Sequence, residues 1–264
     1  MNVLYAFVRA SFHNVWIFRL EFWLITPGLL IMMYDNFSIW SILYQQSPHA
    51  FGMDLERMTT YGVLGILLMP LMRTAWITQY YIAQQVRQGT LELDLMKPLD
   101  FMWHMLSRNL GELGVESLLR FVPGLVFAYL FLDFRLPPNV QVGLAFLASL
   151  ALGYLVHFGV SFLFGLLSIV TLDIRSYAWA FNSIMRLASG QLVPLWMFPP
   201  ALAAIAAALP FQAVFFVPMS IYVGAHQGSL AKALLSQAAW AIGLFLAARF
   251  FWTRVQRRIT VQGG

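Results

Sequence analysis

Apolar residues run along the chain in blocks long enough to cross a bilayer. Each crossing takes about 20 mostly apolar residues in a helix. The blocks lie at about Phe22–Tyr44, Met58–Ala83, Leu110–Leu132, within Leu136–Leu172, Tyr177–Met197 and Leu230–Trp252. Residues 1–20 are apolar but interrupted. Asn2, Arg9 and His13 recur at spacings that put them on one helical face, which predicts an amphipathic helix lying in the interface and ending at Arg19-Leu20-Glu21. A frayed start to the first span is the alternative.

One apolar stretch cannot be a single span. Leu187–Ala231 holds no Asp, Glu, Lys or Arg, and as one helix would be roughly 65 Å long, twice the hydrocarbon core. Pro194, Pro199, Pro200, Pro210 and Pro218 break it. The pattern predicts a fifth span ending near Pro199, then short re-entrant helices over about 198–229. Backbone of that kind persists at membrane depth only when protein or a water-filled cavity covers it. The fold class is therefore an all-α polytopic membrane protein with about six transmembrane helices. Residues 1–264 form a single transmembrane domain.

Composition supports this reading. Hydrophobic residues make up 60% of the 264 positions and charged ones 10%, against about 45–50% and 25% in soluble domains. The net charge of +5 belongs to span ends rather than to one basic patch, which argues against nucleic acid. With both termini inside, Arg9, Arg19, Arg87, Lys97, Arg108, Arg175, Arg249, Arg254, Arg257 and Arg258 fall on the inner side. Only Arg57, Arg135 and Lys232 fall outside. That bias predicts cytoplasmic termini. Arg9, His13 and Arg19 also make the N-terminus a poor signal peptide.

Several chemistries are excluded or weakly supported. Cysteine is absent, so there is no disulfide, thiol catalyst or thiolate metal site. The five histidines are scattered without paired spacing, so no metal site is expected. There is no G-x-x-x-x-G-K-[ST] loop to hold a nucleotide and no G-x-S-x-G elbow. No catalytic residue is assigned, and no cofactor is expected on this chain.

Two segments carry candidate function. The first is the inner loop over 84–108. Arg87 marks the exit from the membrane and Gly89 can end a helix. Leu91, Leu93 and Leu95 alternate with Glu92 and Asp94, a strand-like period, while Leu91 and Leu95 also share a helical face. Either form presents apolar residues on a cytoplasmic loop, either to pack on the chain's own membrane domain or to dock a soluble partner. The second segment holds Asn182, Arg186 and Gly190 on one face of the fifth span, with Ser183, Ser189 and Gln191 near. A charge deep in a span should face a cavity or an interface rather than lipid. Elsewhere Glu112, Glu116 and Arg120 follow at helical spacing on the third span, suiting an ion pair or a proton relay. Arg73 is expected to snorkel inward beside Trp76 and Tyr80.

Three segments, in order, resemble the permeases of ABC transporters of the ABC-2 group. Val86-Arg87-Gln88-Gly89-Thr90-Leu91 with Leu95-Met96-Lys97-Pro98-Leu99 is similar to that family's "I-R-x-G-x-L…L-L-x-P-L" stretch. Ala188-Ser189-Gly190-Gln191-Leu192-Val193-Pro194-Leu195 with Phe198-Pro199 resembles "S-G-x-x-x-P-L-x-x-F-P", and Phe18-Arg19-Leu20-Glu21-Phe22-Trp23 resembles "Y-R-x-x-F". The chain departs from the pattern at Val86, where Ile is usual, and at Arg186, in a span that is often neutral.

The resemblance implies six spans, an N-terminal interfacial helix, outer re-entrant helices and a bacterial inner-membrane exporter. Two permeases pair, either as sister subunits or as a homodimer. A separate ATPase, carrying ATP and Mg, docks under each. Coupling to it falls to Arg87, Gly89, Leu91, Glu92, Leu95, Lys97 and Pro98. From the polar stripe itself, the translocation path is expected at Asn182, Arg186, Ser189 and Gln191, with structural packing as the alternative. The alternatives are a proton-coupled secondary transporter using Glu116 and Arg120, or a membrane scaffold that transports nothing.

Overall fold

The computed structural model of the chain describes residues 9–10, 13, 19–46, 52–96, 99–171, 174–226 and 228–256. The expected interfacial helix over 1–20 lies almost wholly outside these residues. All regular elements among them are helical, and none is a strand.

Helix α1 spans Arg19–Gln46, 28 residues or about 42 Å. Pro27 sits inside it and removes one backbone donor from its ladder. Helices α2 (Leu55–Leu67) and α3 (Met69–Gln88) run on as one 34-residue span. They join at Leu68, where Pro70 in the first turn of α3 has no N–H to continue the ladder. After the short helix α4 (Leu91–Leu95), helix α5 (Phe101–Glu116) passes through a π-helical turn, Ser117–Phe121, into α6 (Val122–Phe131). Val122 N–H reaches back to the carbonyl of Ser117, and Pro123 supplies no donor, which is why the turn ahead of it widens. The third span therefore begins earlier than the apolar block suggested, at Phe101. The Asp100 side chain caps it by accepting from Trp103 N–H at 3.3 Å.

Helix α7 (Val140–Leu166), capped by Asn139 accepting from Val142 N–H at 2.8 Å, continues into α8 (Ser168–Thr171). It is the central post of the bundle, packed against α3 and against the last helix, α12 (Leu230–Val255). Three glycines set its approach distances. A Cβ on Gly165 would lie 3.0 Å from Gln79 Cα on α3. One on Gly159 would lie 2.9 Å from Leu244 Cβ on α12, and one on Gly153 would lie 2.5 Å from the Ala213 carbonyl oxygen. Small residues of this kind let backbones close on one another where no water drives association. Tyr61, Met72, Ile82, Met102, Phe158 and Phe162 fill the core between these helices.

Among the described residues, four stretches are long and apolar enough to cross a membrane: Leu55–Gln88, Phe101–Phe131, Val140–Thr171 and Leu230–Val255. The two remaining expected spans differ from these. Helix α1 carries Asp35 and Asn36 midway. Helix α9 (Arg175–Ala188) has 14 residues, about 21 Å, and so is shorter than a bilayer core. It does not continue to Met197. The chain turns at Gly190, whose φ of 72° is open to glycine at little cost.

Beyond the turn come α10 (Pro200–Ala208), a 3₁₀ turn at Pro210–Ala213 and α11 (Phe216–Tyr222). Helix α11 is buried from Val217 to Tyr222. Its irregular surroundings are tied down by polar bonds. Phe216 N–H donates to the Ser189 carbonyl at 2.9 Å, and Tyr61 O–H donates to the Gly190 carbonyl at 2.6 Å. Gln237 Nε2 donates to the Ala213 carbonyl at 2.8 Å. These bonds satisfy backbone groups that hydrocarbon could not.

Candidate functional site

The inner loop is built on a helix stop. Gly89 takes φ 66°, Thr90 N–H bonds the Gln85 carbonyl at 3.0 Å and Gly89 N–H bonds that of Val86 at 3.2 Å. This paired pattern is a Schellman cap, and it ends α3 where the sequence placed the end. The alternating leucines then form one helical turn, α4, not a strand. Much of the remaining 84–108 segment is also helical, in the end of α3 and the start of α5.

The turn fixes which leucines face out. Leu91 is 4% exposed and packs into the chain's own core, whereas Leu93 is 63% and Met96 81% exposed. Arg87 is exposed and Glu92 half-buried. Lys97 and Pro98 lie outside the described residues, and Leu95 is described by its backbone only. Asp94 is buried and accepts from Tyr81 O–H at 2.7 Å. The Arg108 guanidinium stands 4.3 Å from the centre of the Tyr81 ring and pairs with Glu112 at 3.3 Å. Helix α4 is therefore latched to α3 directly and to α5 through one aromatic ring. On the same side Arg249 of α12 pairs with the capping Asp100.

The second place is a cavity of about 570 Å³ lined by residues of α1, α3, α7 and α9. All four residues expected along a path, Asn182, Arg186, Ser189 and Gln191, line it. Helix α9 brings Asn182 and Arg186. The Gly190 turn folds Gln191 back toward α2, where its Nε2 donates to the Gly65 carbonyl at 3.5 Å. Asn182 is held on both sides: it accepts from Gln79 Nε2 at 3.1 Å and donates to Tyr80 Oη at 3.0 Å. Ser183 faces away and bonds the Trp179 carbonyl at 2.9 Å.

Residues that sequence reasoning did not place here complete the wall. Helix α1 contributes Ile25, Gly28, Leu29 and Met32 beside its proline. Helix α3 gives Met69, Met72, Arg73 and Trp76, α7 gives His157, and Phe215 adds a further apolar face. Arg73, expected to snorkel inward beside Trp76 and Tyr80, has an acidic partner. Its Nη2 binds Glu116 Oε1 across the two spans, because Glu116 offers a carboxylate at the same height. Arg120 Nη1 takes both oxygens of that carboxylate, reaching Oε2 at 2.6 Å. The anticipated ion pair on the third span is thus present and carries a third member. It sits at the π-helical turn, a feature that often marks functional sites. Three guanidiniums line one cavity, and a single carboxylate engages two of them.

No group of three or more His, Asp or Glu side chains among the described residues is placed to hold a metal. The arrangement can hold a polar or charged group inside an apolar bundle.

The fold and this cavity define a helical membrane protein with a charged interior. The family model for "ABC-2 family transporter protein" matches residues 30–263, and the chain belongs to that family. No curated protein matches the chain. Proteins of this family are the membrane subunits of transporters and generally work with an ATPase subunit.

Proposed function

We propose that the chain is the permease of an ATP-driven exporter in a bacterial inner membrane, with six spans and both termini cytoplasmic. Two permeases pair around a shared path, with a sister subunit slightly favoured over a second copy. A separate ATPase chain binds ATP and Mg and docks beneath the loop at Arg87–Pro98. Its closure is transmitted through α4 and the Asp94–Tyr81–Arg108 latch to the second and third spans. Outer re-entry of α10 and α11 closes the path from outside.

The observation that carries this reading is the cavity, where Asn182, Arg186, Ser189 and Gln191 meet Arg73 and Arg120 inside the membrane domain. Charges at that depth suit a path or an interface and are costly against lipid. Glu116 as a proton carrier is less well supported, since both its oxygens are engaged by guanidiniums.

The chain lacks cysteine, so single-cysteine variants report without background. Asn182→Cys and Ser189→Cys, co-expressed with the partner ATPase, should react with a water-soluble maleimide at rates that change when ATP is trapped. Ile242→Cys, on an exposed flank of α12, should not respond to ATP. Labelling at 182 and 189 that ignores ATP, or transport driven by a pH gradient with this chain alone, would refute the reading.

A further inference from the structure

One guanidinium on the cavity wall has no acidic partner among the described residues. Arg73, Arg120 and Arg186 line it, and Glu116 engages the first two. The Arg186 side chain has no ion pair or hydrogen bond with any described residue. The Arg186 charge is therefore left without a counter-charge among the described residues, and a partner for it is favoured away from bulk water.

Two neighbouring polar side chains are already committed, while Trp76 Nε1 and His157 Nδ1 on the cavity wall have no hydrogen-bond partner among the described residues. Asn182 bonds Gln79 and Tyr80, and Ser189 Oγ bonds the Arg186 carbonyl at 2.9 Å. Around the charge the wall is apolar: Met69, Trp76, Met185 and Phe215. Ile25 and Met32 on α1 line the cavity and are also exposed, each at 45%. The cavity thus opens sideways beside α1, which on the six-span reading is the direction from which a bilayer component would enter. Its volume is in the range that holds a small-molecule ligand.

We propose that the cavity takes an anionic amphiphile, its phosphate or carboxylate head meeting Arg186 and its tail lying against Met69, Trp76 and Phe215. This rests on the path reading above and names the ligand class of that same site. The free guanidinium sets the sign of the head, and the apolar wall with its lateral opening sets the need for a tail.

Radiolabelled dodecyl phosphate tests it, bound to the purified full chain in phosphatidylcholine nanodiscs and read by scintillation proximity. Binding should saturate and be displaced by unlabelled dodecyl phosphate. Equal concentrations of dodecyltrimethylammonium or of inorganic phosphate should not displace it. Arg186→Gln should weaken binding about tenfold, and Arg186→Lys should keep most of it, since the lost element is one charge-assisted contact. Both variants must retain the wild-type thermal transition.

Displacement by the cationic amphiphile, or wild-type affinity in Arg186→Gln, overturns the proposal. Displacement by inorganic phosphate overturns the amphiphile and leaves a soluble anion. Absence of binding in a chain whose 182 and 189 cysteines still label in an ATP-dependent way overturns the ligand class alone. This includes the case in which a carboxylate of a second permease occupies Arg186. Loss of that labelling overturns the path itself.

Discussion

Glu116→Ala tests the cluster that holds the second and third spans together. The Glu116 side chain is 5% exposed and that of Arg120 10%, while that of Arg73 is 45% exposed. Removing the carboxylate takes from the buried Arg120 the counter-charge that both its oxygens supply, whereas the more exposed Arg73 can turn toward the cavity. Breaking a buried pair from one side costs about 3–5 kcal/mol. Only one of the two guanidiniums is truly buried, and polar bonds in membranes average nearer 0.6 kcal/mol because the unfolded reference finds partners too. A loss of about 3 kcal/mol is therefore expected.

At roughly 2–4 °C per kcal/mol for a chain of this size, that is on the order of 10 °C in the apparent midpoint. Glu116→Ala combined with Arg120→Met removes the pair together and should recover most of the loss, as apolar replacement of whole pairs is often neutral. Differential scanning fluorimetry of both variants in one detergent reads this directly. If the double variant melts no higher than Glu116→Ala alone, the counter-charge account is wrong.

Four further outcomes follow from the geometry. Leu93→Asp with Met96→Asp should leave the melting midpoint within about 1 °C yet reduce copurification of the ATPase. Leu91→Asp should cost about 2–4 kcal/mol by burying a charge in the core, visible as a lower midpoint before any partner is added. Tyr81→Phe removes the bond to Asp94 and should cost about 1 kcal/mol, read as faster amide exchange confined to 91–95. His226 lies outside the spans, and burial holds its imidazole below the ordinary 6.5. The unfolded chain then binds its proton more readily. The contribution of His226 to stability should be full above pH 6.5 and fall as pH drops toward the lowered value. His226→Asn should flatten that part of the profile, and an unchanged slope would assign it to other groups.

What could be read from the chain depended on whether one element decided it. The spans ending in α3, and those formed by α7 and α12, show as apolar blocks because membrane depth imposes length and polarity on each helix alone. Gly89 was legible for a similar reason: a Schellman cap is local, and arginine, glycine and the following leucine lie side by side. The stripe of Asn182 and Arg186 followed from helical spacing within α9. The pairing of Arg73 with Glu116 did not, because it joins residues on two spans whose relative height no single-helix pattern contains. The signal available was the presence of an arginine and a glutamate inside two neighbouring spans, each needing a partner. The facing of Leu91 was hidden because five residues fit a strand and a helix equally well. Burial of Asp94 against Tyr81 decided it.

The short fifth helix links these readings. Five prolines across 194–218 made a single long span impossible, but they did not fix where the helix would stop. It stops at Ala188, before any proline, because Gly190 can take a positive φ and because Tyr61 and Phe216 bind the carbonyls exposed there. Stopping early leaves α9 too short to fill the space between α1 and α3, and Pro27 and Gly28 thin the opposing wall. The cavity is the volume left by those two interruptions, and Arg186 stands at the lip of one of them. A variant that lengthens α9 tests this. Gly190→Ala adds a Cβ 2.9 Å from Phe216 Cβ and disfavours the turn, so the site should narrow and maleimide labelling at Ser189→Cys should slow. Unchanged labelling in a folded Gly190→Ala variant would show that the cavity does not depend on where the helix ends.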